Sequence, residues 1–316
     1  MQDYYVFWRG WLLIMAGIFL PHLALADEVK VADSNGNELR YSYEADGPAT
    51  FIGISKYSTD ADKAGRIIIA DRVTDANGTG HDVLYIGGSL RNRSDLVSVV
   101  FGQNIIATGG ADGTNSDAFY NCSKLESVTL NSKLQILGQY TFQNCRHLTN
   151  INLSELSNLT TIKKGCFYDA DILRSLSLPA SVVTIEESAF NSIDSLRTVI
   201  IPAGSKLQEI GPYAFQSNDK LQSINLEAAT QLKTISNYCF RYCYELQSIT
   251  IPASVEEIGS SVLSYCNALE TITFNAATVP ESFYTYGKKL TTVNIGAGVK
   301  RIGNSAFYNK IGRAHV

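Results

Sequence analysis

Histidine, tryptophan and methionine are scarce in this sequence, and their scarcity excludes several kinds of chemistry. The 316 residues include four histidines, two tryptophans and two methionines. His22 lies in an apolar N-terminal segment and His315 in an atypical tail, so the rest of the chain holds only His81 and His147. These two lie far apart in sequence, and histidine is the commonest general base and metal ligand. We therefore predict no catalytic triad, no metal site and no cofactor.

Runs of one charge are also missing. The chain has 26 basic and 30 acidic residues, a net charge of −4, and no cluster of lysine and arginine. A nucleic-acid-binding protein would show such a cluster, so we exclude that class. The acidic pairs at 186–187 and 256–257 fall at variable positions and are typical of a solvated face. Because no carboxylates converge, we predict that this region is not an enzyme.

The first 26 residues have the pattern of a secretory signal peptide. Arg9 precedes an apolar run at 11–20, and the small-residue pattern Ala-Leu-Ala at 24–26 precedes Asp27. This arrangement predicts cleavage after Ala26, export to the cell surface or medium, and no transmembrane span after cleavage. An uncleaved membrane anchor is the alternative. Both tryptophans and both methionines would leave with the cleaved segment.

The last residues depart from the rest of the chain. The segment KIGRAHV at 310–316 resembles the translation of a sequencing adapter. We therefore predict that 311–316 are not native and that the natural protein continues past this point. A genuine short tail is the alternative.

A repeated phrase organises most of the remaining sequence. Its pattern is Leu-x-polar-apolar-x-apolar, as in LQSITI from Leu246, and successive copies begin 21 to 29 residues apart. The nine copies begin at Leu96, Leu125, Leu148, Leu173, Leu196, Leu221, Leu246, Leu269 and Leu290. A unit of this size cannot bury its own apolar face, whereas a stack of units can. The sequence therefore predicts a solenoid.

Each repeat has a strand half and a second half. In the strand half, alternation with a period of two sends positions four and six inward, as with Ile249 and Ile251. In the second half an Ile precedes a Phe by five residues, as with Ile235 and Phe240. That spacing predicts one short helical turn packed against the strand.

These repeats resemble the BspA-like leucine-rich repeat family of secreted and surface proteins. The segments CFRYCYELQSITIPASVEEIG (239–259) and AFYNCSKLESVTL (118–130) carry the resemblance, which covers about residues 96–309. It implies an α/β solenoid with one short parallel strand and one helical turn per repeat of about 23–25 residues. We assign the solenoid to 96–310 and an N-terminal cap of degenerate repeats to 27–95, since terminal repeats must present a polar end. An independent small domain at 27–95 is the alternative.

The six cysteines follow the repeat register. Cys122, Cys145, Cys243 and Cys266 occupy one equivalent position, where other repeats carry Ala170, Ile193 or Asn218. Cysteine therefore behaves as a small core residue. Adjacent repeats could also bring Cys122 near Cys145, or Cys243 near Cys266, so the sequence leaves disulfides open.

Two sets of side chains form the candidate binding face. Strand positions three and five make a grid of uncharged polar groups, and tyrosines flank the anchor Phe. The candidates are Ser223, Asn225, Ser248, Thr250, Thr271, Thr273, Tyr238, Tyr242 and Tyr265. The alternatives are cross-strand hydrogen bonding for the hydroxyls and packing between repeats for the tyrosines.

The family resemblance implies an adhesion-type function. We expect a secreted or cell-surface protein that binds an extracellular protein or glycan of a host matrix or a neighbouring cell. Two other functions remain open: a stalk that presents a further C-terminal domain, or the repeat region of an enzyme whose catalytic domain follows.

Overall fold

The structure, a computed structural model, consists of short strands joined by turns. It describes residues 27–88, 90–114, 116–170, 174–308 and 314–315. The predicted signal peptide and most of the atypical tail lie outside these residues, so both assignments remain predictions. The strands are β1 (Asp27–Ala32), β2 (Glu38–Tyr43), β3 (Ala49–Lys56), β4 (Arg66–Ile68), β5 (Arg72–Thr74), β6 (Gly80–Ile86), β7 (Ser98–Val100), β8 (Ala107–Thr108), β9 (Ser127–Thr129), β10 (Ile136–Leu137), β11 (Asn150–Ile151), β12 (Thr161–Ile162), β13 (Ser175–Ser177), β14 (Thr184–Ile185), β15 (Thr198–Ile200), β16 (Glu209–Ile210), β17 (Ser223–Ile224), β18 (Thr234–Ile235), β19 (Ser248–Ile251), β20 (Glu257–Ile258), β21 (Thr271–Phe274), β22 (Thr278–Val279), β23 (Thr292–Ile295), β24 (Arg301–Ile302) and β25 (Ala314–His315).

Each coil of the solenoid contributes two short parallel strands, on two different sides. The strands that follow the repeated Leu, together with β4 and β25, form the strand face, in three consecutive sheets: β4-β7-β9-β11, β13-β15-β17 and β19-β21-β23-β25. The strands of the second half, most of which end in Ile, form a long sheet from β6 through β8 to β20, and β22 pairs with β24. All these pairings between coils are parallel. The predicted stack of repeats is confirmed.

The long sheet begins with antiparallel strands. β1 pairs with β2, β2 pairs with β3, and β3 then pairs in parallel with β6. β1 has charged side chains, including Glu28 and Lys30, and forms the sheet edge. Charged edge strands discourage pairing with other chains.

A column of phenylalanine rings runs through the core. Each ring comes from the anchor position of one coil, is fully buried and stacks on the ring of the next coil at 5.3 to 5.6 Å between centroids. The stacked residues are Phe119, Phe142, Phe167, Phe190, Phe215 and Phe240. Ile249 and Ile251 are also buried, as the alternation predicted. Stacking the coils therefore buries the phenylalanine and isoleucine side chains that a single repeat would leave exposed.

The predicted helical turn is wrong. No α-helix occurs in the described residues, and the two helical elements are 3-10 turns at η1 (Leu153–Glu155) and η2 (Leu226–Ala228). From Phe119 to Phe240, the segment around each anchor Phe instead contains two residues in the left-handed region, one two positions before the Phe and one two positions after it. Around Phe240 these are Tyr238, with φ 59°, and Tyr242, with φ 65°.

Hydrogen bonding between coils explains this conformation. Around Phe240, the backbone N–H groups of Tyr238, Phe240 and Tyr242 donate to carbonyls of the next coil. An α-helix would direct these groups along its own axis to residues four positions earlier. Because left-handed residues alternate with others here, every second N–H points along the stack and donates to a carbonyl of the next coil. The solenoid therefore has a third side on which adjacent coils are joined by hydrogen bonds. We call this side the turn face.

Candidate functional site

The strand face carries the polar side chains that the sequence singled out. Ser223 and Ser248 are exposed, whereas Thr250, Thr271 and Thr273 are half-buried. Ser248 lies opposite Thr271, and Thr250 opposite Thr273, in the parallel register of β19 and β21. The hydroxyl groups therefore form rows along the stack at the spacing of adjacent strands, about 4.8 Å.

Asn225 belongs to the same set but has a structural partner. Its Oδ1 accepts a hydrogen bond from the N–H of Ile201 at 2.8 Å, and its Nδ2 donates to the carbonyl of Ile201 at 2.9 Å. Asn152 makes the same two bonds with Leu130 in an earlier coil. After each Asn the chain enters a 3-10 turn. The amide side chain thus replaces the backbone pairing that would continue the strand.

The strand face is divided where these 3-10 turns occur. β17 and β19 belong to separate sheets, as do β11 and β13. At the first of these gaps a shallow open groove of about 280 Å³ spans β15, β17 and β19. A second depression of about 320 Å³ shares Glu227 and Thr250 with it and continues toward Pro252 and Asn275. The two together are the strand-face groove.

The turn face carries a cluster of aromatic rings around Arg241. The rings of Tyr242 and Tyr265 lie 5.0 Å apart, and those of Tyr265 and Tyr286 lie 4.8 Å apart and stack. The guanidinium carbon of Arg241 lies 4.4 Å from the centroid of the Tyr242 ring and 5.3 Å from that of Tyr238. Both distances are within the range of cation–π attraction. We call Tyr238, Arg241, Tyr242, Tyr244, Tyr265 and Tyr286 the aromatic surface.

Three residues of the aromatic surface were not among the binding residues that the sequence predicted. Tyr244 and Tyr286 are 38% and 53% exposed, and Arg241 joins three of the rings. The signal for Tyr286 was present, because it follows Tyr284 by two residues just as Tyr242 follows its anchor Phe. It was missed because the anchor in that coil is a tyrosine.

An acidic rim borders the aromatic surface. Burial and the nearby carboxylate of Asp194 raise the pKa of Asp219 above its usual range. Burial and the charge of Asp219 in turn raise the pKa of the Tyr244 hydroxyl. The carboxylates of Asp194 and Asp219 therefore lie at this edge of the surface, together with the ammonium group of Lys220, which acts on the pKa of Asp219 in the opposite direction.

The two sets of predicted binding residues lie on different sides of the coil. Ser248 and Thr250 are on β19 in the strand face, whereas Tyr242 and Tyr265 are in the turn face. The sequence treated them as one candidate face. The structure divides them into two surfaces that different ligands could occupy.

The cysteines are core residues of the turn face. All six are free and buried, so the structure contains no disulfide among them. The thiol of Cys145 donates to the carbonyl of Phe119 at 3.1 Å, and that of Cys266 donates to the carbonyl of Phe240 at 3.2 Å. Burial raises the pKa of Cys122 and of Cys266 to about 12.

We expect all six thiols to be unreactive in the folded protein. A thiol reacts as its thiolate, and burial with a raised pKa suppresses that form at pH 8. A chromogenic disulfide reagent should label almost no thiol in native protein and six after unfolding in guanidinium chloride. Rapid labelling of native protein, or fewer than six thiols after unfolding, would contradict this. Because folding raises these pKa values, their contribution to stability is complete below about pH 9 and declines above it.

Three further titratable groups have structural partners. His81 is buried, its Nδ1 lies 3.0 Å from the carbonyl oxygen of Gly47, and its ring packs on Tyr43. Glu186 and Glu187 form ion pairs with Lys163 and Lys164 of the preceding coil, at 2.8 and 2.9 Å. Within the described residues, no group of three or more His, Cys, Asp or Glu side chains could hold a metal ion.

The family comparison agrees with this architecture. The model of the BspA type leucine-rich repeat region matches residues 112–231 and 203–312, in six copies. The chain belongs to this family. No curated protein matches it.

Solved structures of bacterial leucine-rich repeat proteins are similar to the chain. A leucine-rich repeat protein from Bacteroides ovatus ATCC 8483 is 23% identical, with a TM-score of 0.56 over 85% of this chain and 78% of that one. A leucine-rich cell surface protein from Faecalibacterium prausnitzii A2-165 is 24% identical, with a TM-score of 0.44 over 88% and 86%. The T. pallidum leucine-rich repeat protein is 24% identical, with a TM-score of 0.48 over 63% and 86%. The first of these supports the leucine-rich repeat fold.

No helix in the described ranges is both long enough and apolar enough to cross a bilayer.

Proposed function

We propose that the protein is a secreted or cell-surface binding protein that attaches to an extracellular protein or glycan and catalyses no reaction. The observation that carries the proposal is the aromatic surface. Tyrosine and arginine are enriched among the residues that dominate binding energy in protein interfaces. Here six such residues from three adjacent coils lie together, and two of the tyrosines are exposed.

The chemistry of this surface favours a protein partner with basic side chains. Tyr244 and Tyr286 offer apolar ring area and hydroxyl groups. The acidic rim at Asp194 and Asp219 attracts lysine and arginine. Arg241 shows that a guanidinium fits against these rings, because it contacts three of them within 6 Å. Export and surface location, which the sequence predicts from residues 1–26, would bring the surface to such partners.

We expect Tyr244→Ser with Tyr286→Ser to weaken binding at least tenfold, because removing a hot-spot tyrosine costs about 2 kcal/mol or more. The purified chain is tested by biolayer interferometry against collagen, laminin, vitronectin and mucin. Serine suits position 286, because Ser192 and Ser217 hold the equivalent left-handed conformation in other coils. Tyr308→Ser, at a tyrosine that is 50% exposed and outside the aromatic surface, is the matched control.

Two outcomes would overturn the proposal. If none of the four proteins binds the wild-type chain, the adhesion role is wrong. If one binds but the double variant binds as tightly as the wild type, the aromatic surface is not the site, and a stalk function for the solenoid gains support.

A further inference from the structure

We propose that the strand-face groove binds a neutral oligosaccharide. This inference deepens the proposed binding function and rests on it, but a different surface carries it. The groove lies between β17 and β19, where the strand face is divided. Its two depressions, of about 280 and 320 Å³, share Glu227 and Thr250. Each is near the lower end of the range that small-molecule sites occupy.

Hydroxyl groups dominate the polar lining of the groove. Ser223, Ser248 and Thr250 line the part on the strand face, and Ser254 lines the part beyond it. A hydroxyl both donates and accepts hydrogen bonds, and so does every hydroxyl of a sugar. An extended peptide with apolar side chains would instead leave these groups unpaired, at a cost of about 1–3 kcal/mol for each buried group.

One of these hydroxyls lacks a partner. The Oγ of Ser254 is buried and makes no hydrogen bond within the part of the chain that the structure describes. Buried polar atoms are nearly always hydrogen-bonded, so an exception calls for an explanation. The Oγ of Ser254 is itself closed to solvent, so it marks unused hydrogen-bonding capacity behind the lining of the second depression and is not a contact for the ligand.

Two further residues of the groove could contact a sugar, one through its C–H groups and one through its hydroxyl groups. Ile200 is 43% exposed on the strand face, and it offers an apolar contact for the C–H groups of a ring. Glu227 is exposed and, among the described residues that line either depression, it is the sole charged one. A carboxylate accepts strong hydrogen bonds from neighbouring hydroxyls. Its charge also disfavours acidic sugars, so the groove favours neutral ones.

The chain contains a natural comparison for this groove. The strand face is also divided between β11 and β13, after Asn152 and η1. There, Thr129 stands in the register of Ile200, and Ser154 in that of Glu227. The backbone arrangement is thus repeated without the apolar contact and without the carboxylate. Ile200→Thr with Glu227→Ser therefore converts the groove to residues that this fold already accepts.

The test is isothermal titration of the purified full chain with maltotetraose, cellotetraose, mannotetraose, chitotetraose and the acidic tetragalacturonate. We expect at least one neutral tetrasaccharide to bind with a Kd of about 1 mM or lower. Tetragalacturonate should bind at least tenfold more weakly. The double variant I200T/E227S should lose at least tenfold in affinity for the neutral sugar, whereas the matched control T129S/S154A should bind like the wild type. Circular dichroism verifies that each variant is folded.

Several results would overturn the inference. They are no binding of any neutral tetrasaccharide at about 5 mM, unchanged affinity in the folded I200T/E227S variant, or binding of a lysine-rich peptide but of no sugar. Failure here differs from failure of the proposed function. The variants of the aromatic surface report on protein binding, and they leave the groove intact.

Discussion

Replacing Phe190 with alanine should cost about 3–5 kcal/mol in the free energy of unfolding, the range for a fully buried phenylalanine. Phe190 stacks on Phe167 at 5.3 Å and on Phe215 at 5.4 Å, and it is completely buried. Its removal leaves a cavity between two rings that coil-to-coil hydrogen bonds hold in place. In a solenoid, stability depends on contacts between neighbouring repeats, so a gap in mid-stack weakens both interfaces. Guanidinium denaturation followed by circular dichroism measures the effect.

Phe190→Leu is the matched control. Leu263 occupies the anchor position in a later coil and is fully buried there, so the fold accepts leucine at this position. We expect the leucine variant to lose well under half of what the alanine variant loses. An alanine variant that loses less than about 1 kcal/mol would mean that the ring column does not hold the coils together.

Replacing Asn218 with alanine should cost about 2–4 kcal/mol, because it leaves buried backbone groups without partners. Asn218 is fully buried. Its Oδ1 accepts from the N–H of Ile193, and its Nδ2 donates to the carbonyls of Phe190 and Phe215, each at 2.9 Å. One side chain thus joins two adjacent coils through three bonds. Thermal and chemical denaturation of the variant would measure the loss.

Asn218→Cys tests the mechanism of this loss. Cys243 occupies the equivalent position in the next coil, and its thiol donates to the carbonyl of Phe215 at 3.3 Å. A cysteine at 218 keeps one donor and more volume than alanine, so we expect it to be less destabilising. Equal losses for the cysteine and alanine variants would show that one thiol donor does not replace the amide of Asn218. An alanine variant that loses less than about 0.5 kcal/mol would show that the hydrogen bonds to Asn218 contribute little.

The sequence predicted the stack because its signal repeats in every coil. Ile249 and Ile251 are buried as predicted, since the alternation in a strand depends on local geometry alone. The turn face could not be predicted in the same way. Its conformation depends on hydrogen bonds to the next coil, and tyrosine at Tyr238 and Tyr242 gives no hint of left-handed backbone, which bulky residues rarely adopt. Asn121 and Asn144 lie two positions after their anchor Phe, as Tyr242 does, and asparagine at that position is the better sequence signal of a left-handed backbone.

For the candidate site, the repeat pattern alone indicated some features and could not indicate others. Periodicity indicated which strand residues lie at the surface, including Ser248 and Thr250. It could not show that the strand face is divided after Asn225. Asn294 occupies the same position in its repeat and remains within β23, so asparagine alone does not predict the division. The groove depends on how three coils meet, which no single repeat specifies.

Hydrogen exchange on a complex tests the central claim most directly, namely that the turn face of the solenoid is the binding surface. The full chain would be compared free and bound to whichever matrix protein it recognises, with peptide resolution by mass spectrometry. We predict slower exchange in peptides that cover 238–244, 261–268 and 282–287, with no change in peptides that cover 27–56. Protection confined to the N-terminal strands, with none around Arg241, would contradict the claim.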